Sequence, residues 1–165
     1  MKNLSKLFML SIALLLGSCD APERTLGFVT GDNAEMQWHL GTQDAIDIVS
    51  TVDSLWTAED YEAMRPYFAD SLVFNSYDGS TTNTFDEFVE AMTSQPSVSW
   101  TYDYAFSVDL NPSIGGEHVQ AGFTVTYPAT EDSEERVNRN HESYYVVDGK
   151  IISLTQYVGL NESQD

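Results

Sequence analysis

The sequence predicts an α+β domain in which helices come first and an antiparallel sheet follows. In the first half, apolar residues recur at three- and four-residue steps, which is the period of an amphipathic helix. In the second half they alternate with polar residues, which is the period of a half-buried strand. This order indicates helices whose apolar faces cover one side of a twisted sheet.

Three helices are expected. Thr42 can cap the first, whose apolar stripe comprises Ala45, Ile46, Ile48, Val49, Val52, Leu55 and Trp56. A second, short helix is expected to begin with Thr57 as its cap and to end near Pro66. Thr84 and Glu87 form a capping box that opens a third helix, which runs through Met92.

Five strands are expected in the mature chain. A short strand over 71–76 precedes the third helix, and longer strands cover about 100–108, 119–127, 137–147 and 151–158. Asp148-Gly149 marks a tight turn between the last two. Asp103 and Asp109 alternate with aromatic residues in the first long strand, so both are expected to face solvent.

The composition excludes nucleic-acid binding and a disordered chain. The 165 residues carry 26 acidic and 7 basic side chains, for a formal net charge of −19. Nucleic-acid binding is excluded because it needs Lys and Arg to displace counterions from phosphates. The hydrophobic content of 42% is too high for a disordered acidic tail, so one compact domain is expected.

The first 18 residues predict an export signal. A basic start leads into an apolar run over 7–16, which is too short for an ordinary transmembrane helix. Leu16-Gly17-Ser18 then precede Cys19, the only cysteine, in an order that resembles a bacterial lipobox. We therefore expect lipid on Cys19 to anchor the protein to a bacterial cell-envelope membrane, on its periplasmic or surface face. The alternative is a secretory signal with a coincidental cysteine.

The mature chain divides into three predicted parts. Residues 19–41 are expected to form a lipidated tether, although apolar side chains such as Trp38 could dock onto the domain. Residues 42–159 form the predicted domain, and 160–165 a C-terminal tail.

The domain resembles the nuclear transport factor 2-like superfamily, in its SnoaL-like and ketosteroid-isomerase-like branch. The matching motifs are Asp60-Tyr61-Glu62-Ala63-Met64, Tyr67-Phe68-Ala69-Asp70, Asp78-Gly79 and Val146-Val147-Asp148-Gly149-Lys150-Ile151. The resemblance implies a cone, in which a curved, mainly antiparallel sheet wraps the first helix around a pocket. Isomerases, cyclases, epoxide hydrolases, binding-only domains and many dimers share this fold, so the fold does not decide the function.

Isomerase chemistry in this superfamily uses a carboxylate base and two donors, a Tyr and a protonated Asp. The resemblance implies the base near Asn75 or Ser76, the Tyr near Val52 and the acid near Glu142. Neither Asn75 nor Ser76 can take a proton at neutral pH, and Val52 has no hydroxyl group. Only Glu142 retains its role, which argues against isomerase chemistry.

The 137–147 strand could face the pocket in two registers, since a slip of one residue exchanges its faces. In one register the inward side chains are a polar stripe beside Tyr144: Asn138, Asn140 and Glu142. In the other register they are Arg139, His141 and Ser143.

No metal or other cofactor is expected, because His39, His118 and His141 lack the spacing of metal ligands. The acidic segment 131–135 is expected to be a solvated hairpin tip. Asp53 could be a surface charge of the first helix or could reach the pocket mouth.

The leading interpretation is a lipid-anchored domain that binds a small apolar or amphipathic ligand without catalysis. The candidate pocket residues are Trp56, Tyr61, Asn75, Asn140, Glu142 and Tyr144. The first alternative is an acid–base enzyme of the cyclase, isomerase or hydrolase type that uses Glu142 with His141 or Asp53. The second is a protein-interaction module that forms a homodimer through its outer sheet face.

Overall fold

The computed structural model describes residues 25–95, 97–111, 115–131 and 133–159. The predicted signal, Cys19 and the C-terminal tail lie outside these residues. Within the described ranges, no helix has the length and apolar character needed to cross a membrane.

The described residues form three α-helices in the predicted order: α1 (Gln43–Thr57), α2 (Tyr61–Met64) and α3 (Phe85–Thr93). Short 3₁₀ turns occur at Gly31–Asn33 and Arg65–Tyr67.

The helix caps agree with the sequence at two of three positions. The side chain of Thr42 accepts a hydrogen bond from the Ala45 amide at the start of α1, and the capping box of α3 is complete. The prediction that Thr57 caps α2 is wrong, because α1 continues through Thr57. Asp60 caps α2 instead and accepts from the Ala63 amide at 3.1 Å, which leaves Thr57 free to bond the Asp53 carbonyl.

Eight strands form one sheet in the described part of the chain. They are β1 (Thr25–Leu26), β2 (Trp38–Leu40), β3 (Phe68–Asn75), β4 (Thr81–Thr82), β5 (Ser99–Asp109), β6 (Gly116–Tyr127), β7 (Arg136–Val147) and β8 (Lys150–Gly159). Their order across the sheet is β1-β2-β5-β6-β7-β8-β3-β4. Only β3 and β8 are parallel among these neighbours, so the curved sheet is mainly antiparallel, as predicted.

Part of the predicted tether belongs to this sheet. Strand β2 pairs with β5 through His39 and Leu40, and β1 pairs with β2. The Trp38 ring packs edge-on against His118, with 5.3 Å between ring centroids. The folded part of the chain therefore begins before Thr42.

A β-bulge divides β5 into two halves that face opposite ways. The register against β6 shifts between Tyr102 and Tyr104. An extra residue in one strand turns the side chains that follow it to the opposite face of the sheet. Tyr104 and Phe106 are therefore exposed, and Ser107 is buried. The prediction that Asp109 faces solvent is therefore wrong: it is 8% exposed and accepts a hydrogen bond from the Asn111 amide at 2.7 Å.

The apolar core lies between the helices and the inner face of the sheet. Helix α1 contributes Val49 and Val52, and α3 contributes Phe85 and Phe88. The Phe88 ring contacts Phe68, Phe74 and Trp56, at 5.7, 5.1 and 5.0 Å between centroids. Because Trp56 packs on this core from the last turn of α1, the core fixes one wall of the cavity described next.

Candidate functional site

A cavity of about 580 Å³ opens at one end of the domain. Its wall is formed by the end of α1, the start of α2, the segment that follows α3, and the inner faces of β5 to β8. Ligand-binding pockets in proteins usually measure roughly 300–1,000 Å³, so this cavity could hold a small organic molecule.

Aromatic side chains form much of the cavity wall. They are Trp56, Tyr61, Tyr77, Trp100, Phe123 and Tyr127. Trp56 and Trp100 meet edge to face, with 6.0 Å between ring centroids. Trp100 lies in the first half of β5, ahead of the bulge, which is why it faces the cavity rather than solvent.

Glu142 is the most buried acid of the cavity, with 6% of its surface exposed. The Tyr144 hydroxyl donates a hydrogen bond to its Oε2, and Gln156 Nε2 donates to its Oε1 at 2.7 Å. Burial raises the pKa of Glu142, and these two hydrogen bonds act against the increase. Gln156 reaches Glu142 because the two residues are register partners of β7 and β8.

Asp53 lines the same cavity from α1. It lies one helical turn before Trp56, so the two side chains share a face of the helix. Its Oδ1 accepts a hydrogen bond from Trp100 Nε1 at 2.8 Å. Burial raises the pKa of Asp53, and this hydrogen bond partly opposes the increase. The sequence left two placements open for Asp53, and in the structure it lines the pocket.

The register of β7 places its polar stripe inside the domain. Asn138, Glu142 and Tyr144 are buried, and Asn140 and Glu142 line the cavity. The Asn140 Oδ1 atom is buried without a hydrogen-bond partner among the described residues. This carbonyl oxygen is therefore a buried, unsatisfied acceptor next to the cavity.

His141 does not share the cavity with Glu142, because neighbouring residues of a strand point to opposite faces. Its Nε2 lies 2.7 Å from Gln120 Oε1, and its Nδ1 lies 3.4 Å from the Tyr104 hydroxyl. Its ring also lies near Tyr157. These contacts place His141 on the outer sheet face, so it is not an acid–base partner of Glu142.

Two other predicted pocket residues do not line the cavity. Asn75 donates to Thr155 Oγ1 at 3.2 Å and accepts from Thr81 Oγ1 at 3.1 Å, so its amide is used between strands. Tyr144 is 1% exposed and acts on the cavity only through Glu142. Trp56, Tyr61, Asn140 and Glu142 do line the cavity.

The sequence did not single out Trp100 or Gln156 as site residues. Trp100 is one of several aromatic residues in an unbroken alternation of apolar and polar residues. That alternation gives no indication of the bulge between Trp100 and Tyr104. Gln156 is a polar residue two positions after the buried Leu154. A polar residue in the inward phase of a strand was the signal that could have identified it.

The cavity wall has a one-sided charge. Among the described residues that line it, the ionisable groups of Asp53, Glu59 and Glu142 are accompanied by tyrosines but by no Lys, Arg or His. No group of three His, Cys, Asp or Glu side chains in the described ranges is arranged to hold a metal ion.

Solved structures share this architecture, although no protein-family model and no curated protein matches the sequence. A Kribbella flavida protein provisionally assigned as a ketosteroid isomerase matches with a TM-score of 0.62 and 9% identity, over 76% of this chain and 85% of its own. A nuclear transport factor 2-like protein of unknown function from Cytophaga hutchinsonii matches with a TM-score of 0.53 and 13% identity, over 69% and 88%. The chain has the nuclear transport factor 2-like fold.

This fold serves more than one purpose. The association domain of C. elegans CaMKII also matches, with a TM-score of 0.55 and 11% identity, over 70% of this chain and 93% of its own. A nuclear transport factor 2-like fold is therefore consistent with ligand binding, with catalysis and with assembly, and the site has to distinguish among them.

The positions that the resemblance links to isomerase chemistry are used structurally here. Val52 is fully buried in the core, and Asn75 is bonded between strands. Ser76 is 8% exposed, and its hydroxyl group, unlike a carboxylate, does not take up a proton at neutral pH. Within this nuclear transport factor 2-like cavity, Asp53 and Glu142 are the buried or half-buried carboxyl groups.

Proposed function

We propose that the protein binds a small amphipathic molecule in its cavity, without chemical conversion, at a bacterial membrane to which lipid on Cys19 anchors it. The composition of the cavity wall carries this proposal. Aromatic rings such as Trp56 and Trp100 can cover an apolar body, while Asp53, Asn140 and Glu142 can orient a polar group.

The side chains around Glu142 favour binding over catalysis. Both of its oxygens are held by protein donors, and His141 lies on the other sheet face. The positions at which the resemblance implies a base and a Tyr hold Asn75 or Ser76 and Val52. A proton would therefore have to move without the usual arrangement of base and donors.

The three tryptophans provide a direct test of the binding site. Trp56 and Trp100 line the cavity, whereas Trp38 packs against His118 elsewhere. Fatty acids, sterols and aromatic compounds would be titrated while the three indole N–H signals are followed by NMR. We expect a ligand to move the Trp56 and Trp100 signals and to leave Trp38 unchanged.

The same titration has matched variants. Trp56→Ala should abolish binding because it removes a wall of the cavity, whereas Trp38→Ala should bind as the parent does. A ligand that moves only the Trp38 signal, or that binds Trp56→Ala with unchanged affinity, would contradict the proposed site.

Anchoring rests on the sequence around Cys19 and has its own test. Cells that express the protein would be fed an alkyne-labelled fatty acid, and the protein would be examined by fluorescence after coupling and by mass spectrometry. We expect label on the parent and none on Cys19→Ser. An unlabelled parent that is secreted into the medium would favour the secretory signal with a coincidental cysteine.

An acid–base enzyme is a second candidate, favoured by the joint presence of Asp53 and Glu142 in one cavity. The charge of Asp53 adds to burial in raising the pKa of Glu142, which would suit a general acid. Epoxides and unsaturated ketones would be assayed with the parent, Glu142→Gln and Glu90→Gln, whose residue is exposed on α3. Turnover that Glu142→Gln abolishes and Glu90→Gln retains would favour an enzyme over a binding protein.

A homodimer is a third candidate, favoured by the outer face of the sheet. Tyr104, Phe106 and Tyr157 are about half exposed there, and the Tyr104 and Phe106 rings stack at 6.4 Å. Exposed aromatic residues that lie together often mark protein-interaction sites. We name these three residues the outer aromatic patch, and a second copy of the chain is its proposed occupant.

A further inference from the structure

We infer that the cavity selects a ligand that carries an organic ammonium group on an aromatic or aliphatic body. This inference rests on the proposed binding function and specifies its ligand class. It depends on three properties of the cavity: its hydrogen-bond acceptors, its charge and its paired indole rings.

The polar end of the cavity offers acceptors. Glu142 receives one hydrogen bond on each oxygen, from Tyr144 and Gln156, and a carboxylate has about four lone-pair sites in all. Asp53 uses Oδ1 for Trp100, and its Oδ2 has no hydrogen-bond partner among the described residues. Asn140 adds a buried carbonyl oxygen that is also unpartnered among them. An ammonium group, which has donors and no acceptor, complements such a surface.

The charge of the lining favours a cation over a neutral ligand. Its described residues include Asp53, Glu59 and Glu142 and no basic side chain. A carboxylate ligand would bring a further negative charge next to described lining residues that offer no cation to pair with it, which is costly where water is excluded. A neutral alcohol could donate only one hydrogen bond.

The indole rings provide a second source of attraction. The hydrogen bond from Trp100 Nε1 to Asp53 holds the ring beside the carboxylate, and Trp56 meets Trp100 edge to face. Cations are attracted to the face of an aromatic ring, and Trp is the strongest of these partners. An ammonium group that reaches the face of either indole would therefore gain this attraction in addition to that of the Asp53 carboxylate.

A bare metal ion satisfies these observations less well. In the described ranges, no three His, Cys, Asp or Glu side chains come together as a metal site requires. The aromatic wall would also remain uncovered by a metal ion, whereas an alkyl or aryl body would cover it.

The test compares three probes of the same length: 4-phenylbutylamine, 4-phenylbutan-1-ol and 4-phenylbutyrate. Each would be titrated into the purified protein at pH 7.5, with calorimetry for affinity and the Trp56 and Trp100 indole signals for location. We expect the amine to bind at least tenfold more tightly than the alcohol, and the carboxylate to bind more weakly than both.

Variants locate the selectivity. Asp53→Asn and Glu142→Gln should each reduce the preference for the amine toward that of the neutral alcohol, while Glu90→Gln on the exposed face of α3 should preserve it. The comparison of probes on the parent protein needs no variant, so a variant that fails to fold leaves the test intact.

Three results would overturn the inference. If the alcohol binds as tightly as the amine at the same indole signals, the ligand class is wrong and the binding function stands. If none of the probes moves those signals at millimolar concentration, and the fatty acids and sterols do not either, the binding function fails as well. If calcium chloride moves them and displaces the amine, the site is for a metal ion.

Discussion

Glu142 shows how a carboxyl group can be held, almost fully buried, in the wall of a largely aromatic cavity. Tyr144 and Gln156 donate to its two oxygens, and Asp53 adds a negative charge in the same cavity. Burial raises the pKa of Glu142 above its ordinary value of 4.5, and also raises the pKa of Asp53, Tyr102 and Tyr144 around it. The titration of Glu142 therefore affects the stability of the fold.

We expect Glu142→Gln to flatten the dependence of stability on pH. A carboxyl group whose pKa is higher in the folded state binds its proton more tightly there, so it stabilises the fold below its unfolded pKa. This contribution is lost as the pH rises through the folded pKa. Urea unfolding between pH 4 and pH 8 should show a smaller decline for Glu142→Gln than for the parent.

The control for this effect is Glu90→Gln, which removes the same charge from an exposed site on α3. It should keep the slope of the parent protein. Parallel curves for all three proteins would show that Glu142 does not titrate differently in the folded and unfolded states.

Tyr144 donates a hydrogen bond to the Glu142 carboxyl group. Tyr144→Phe removes the hydroxyl donor and leaves a buried carboxylate oxygen without that partner, at a cost of about 1–3 kcal/mol in the free energy of unfolding. The variant should also raise the pKa of Glu142 further, because the lost hydrogen bond lowers it. Tyr145→Phe, on the neighbouring position that faces outward, is the matched control, and an equal loss in both variants would rule out the specific role of Tyr144.

At the scale of elements, the ends of the helices were predicted more reliably than the faces of the strands. A cap depends on residues close in sequence, so Thr42, Thr84 and Glu87 correctly marked the starts of α1 and α3, although Thr57 was wrongly assigned as the cap of α2. The face of a strand depends on an unbroken alternation, and the bulge near Asp103 breaks it. The sequence therefore misplaced Asp109.

The cap of α3 can be tested on its own. Thr84→Ala should lower the free energy of unfolding by about 1 kcal/mol, because the Glu87 amide loses its side-chain acceptor. Thr84→Ser keeps the hydroxyl group and should remain close to the parent in urea unfolding. Equal stability of all three proteins would mean that water replaces the cap without cost.

Only part of the candidate site was predicted, because the faces of its strands depend on register and on the bulge. Asn140 and Glu142 followed from one of two registers of β7, and Trp56 from the apolar stripe of α1. Gln156 and Trp100 could not be assigned to the cavity, because their positions depend on pairing between strands and on the bulge. His141 was separated from Glu142 only when the register of the strand was known.

At the scale of the whole molecule, the charge and the outer aromatic patch act in opposite directions. The chain carries a formal net charge of −19, so two copies repel each other, while Tyr104, Phe106 and Tyr157 offer apolar contact. Salt screens the repulsion between the charged surfaces and leaves the apolar contact in place. Association should therefore increase with ionic strength.

We expect light scattering to show a larger dimer fraction at about 0.3 M salt than at about 0.01 M salt, since the Debye length shortens from about 30 Å to less than 10 Å. Phe106→Ser should remain monomeric under both conditions. Phe28→Ser, which replaces an exposed aromatic residue near the start of the described chain, should dimerise as the parent does. A monomeric parent at every salt concentration would contradict the dimer proposal.

The bulge in β5 has a consequence for how this protein can change. Before the bulge, the strand places Trp100 at the cavity, and after it the strand places Tyr104 and Phe106 on the outer face. Under the proposed functions, substitutions in the second half would alter contacts with a partner and leave the ligand site unchanged, and substitutions in the first half would do the reverse. One strand would thus contribute to two separate sites that mutation can vary independently, provided that the extra residue between them is kept.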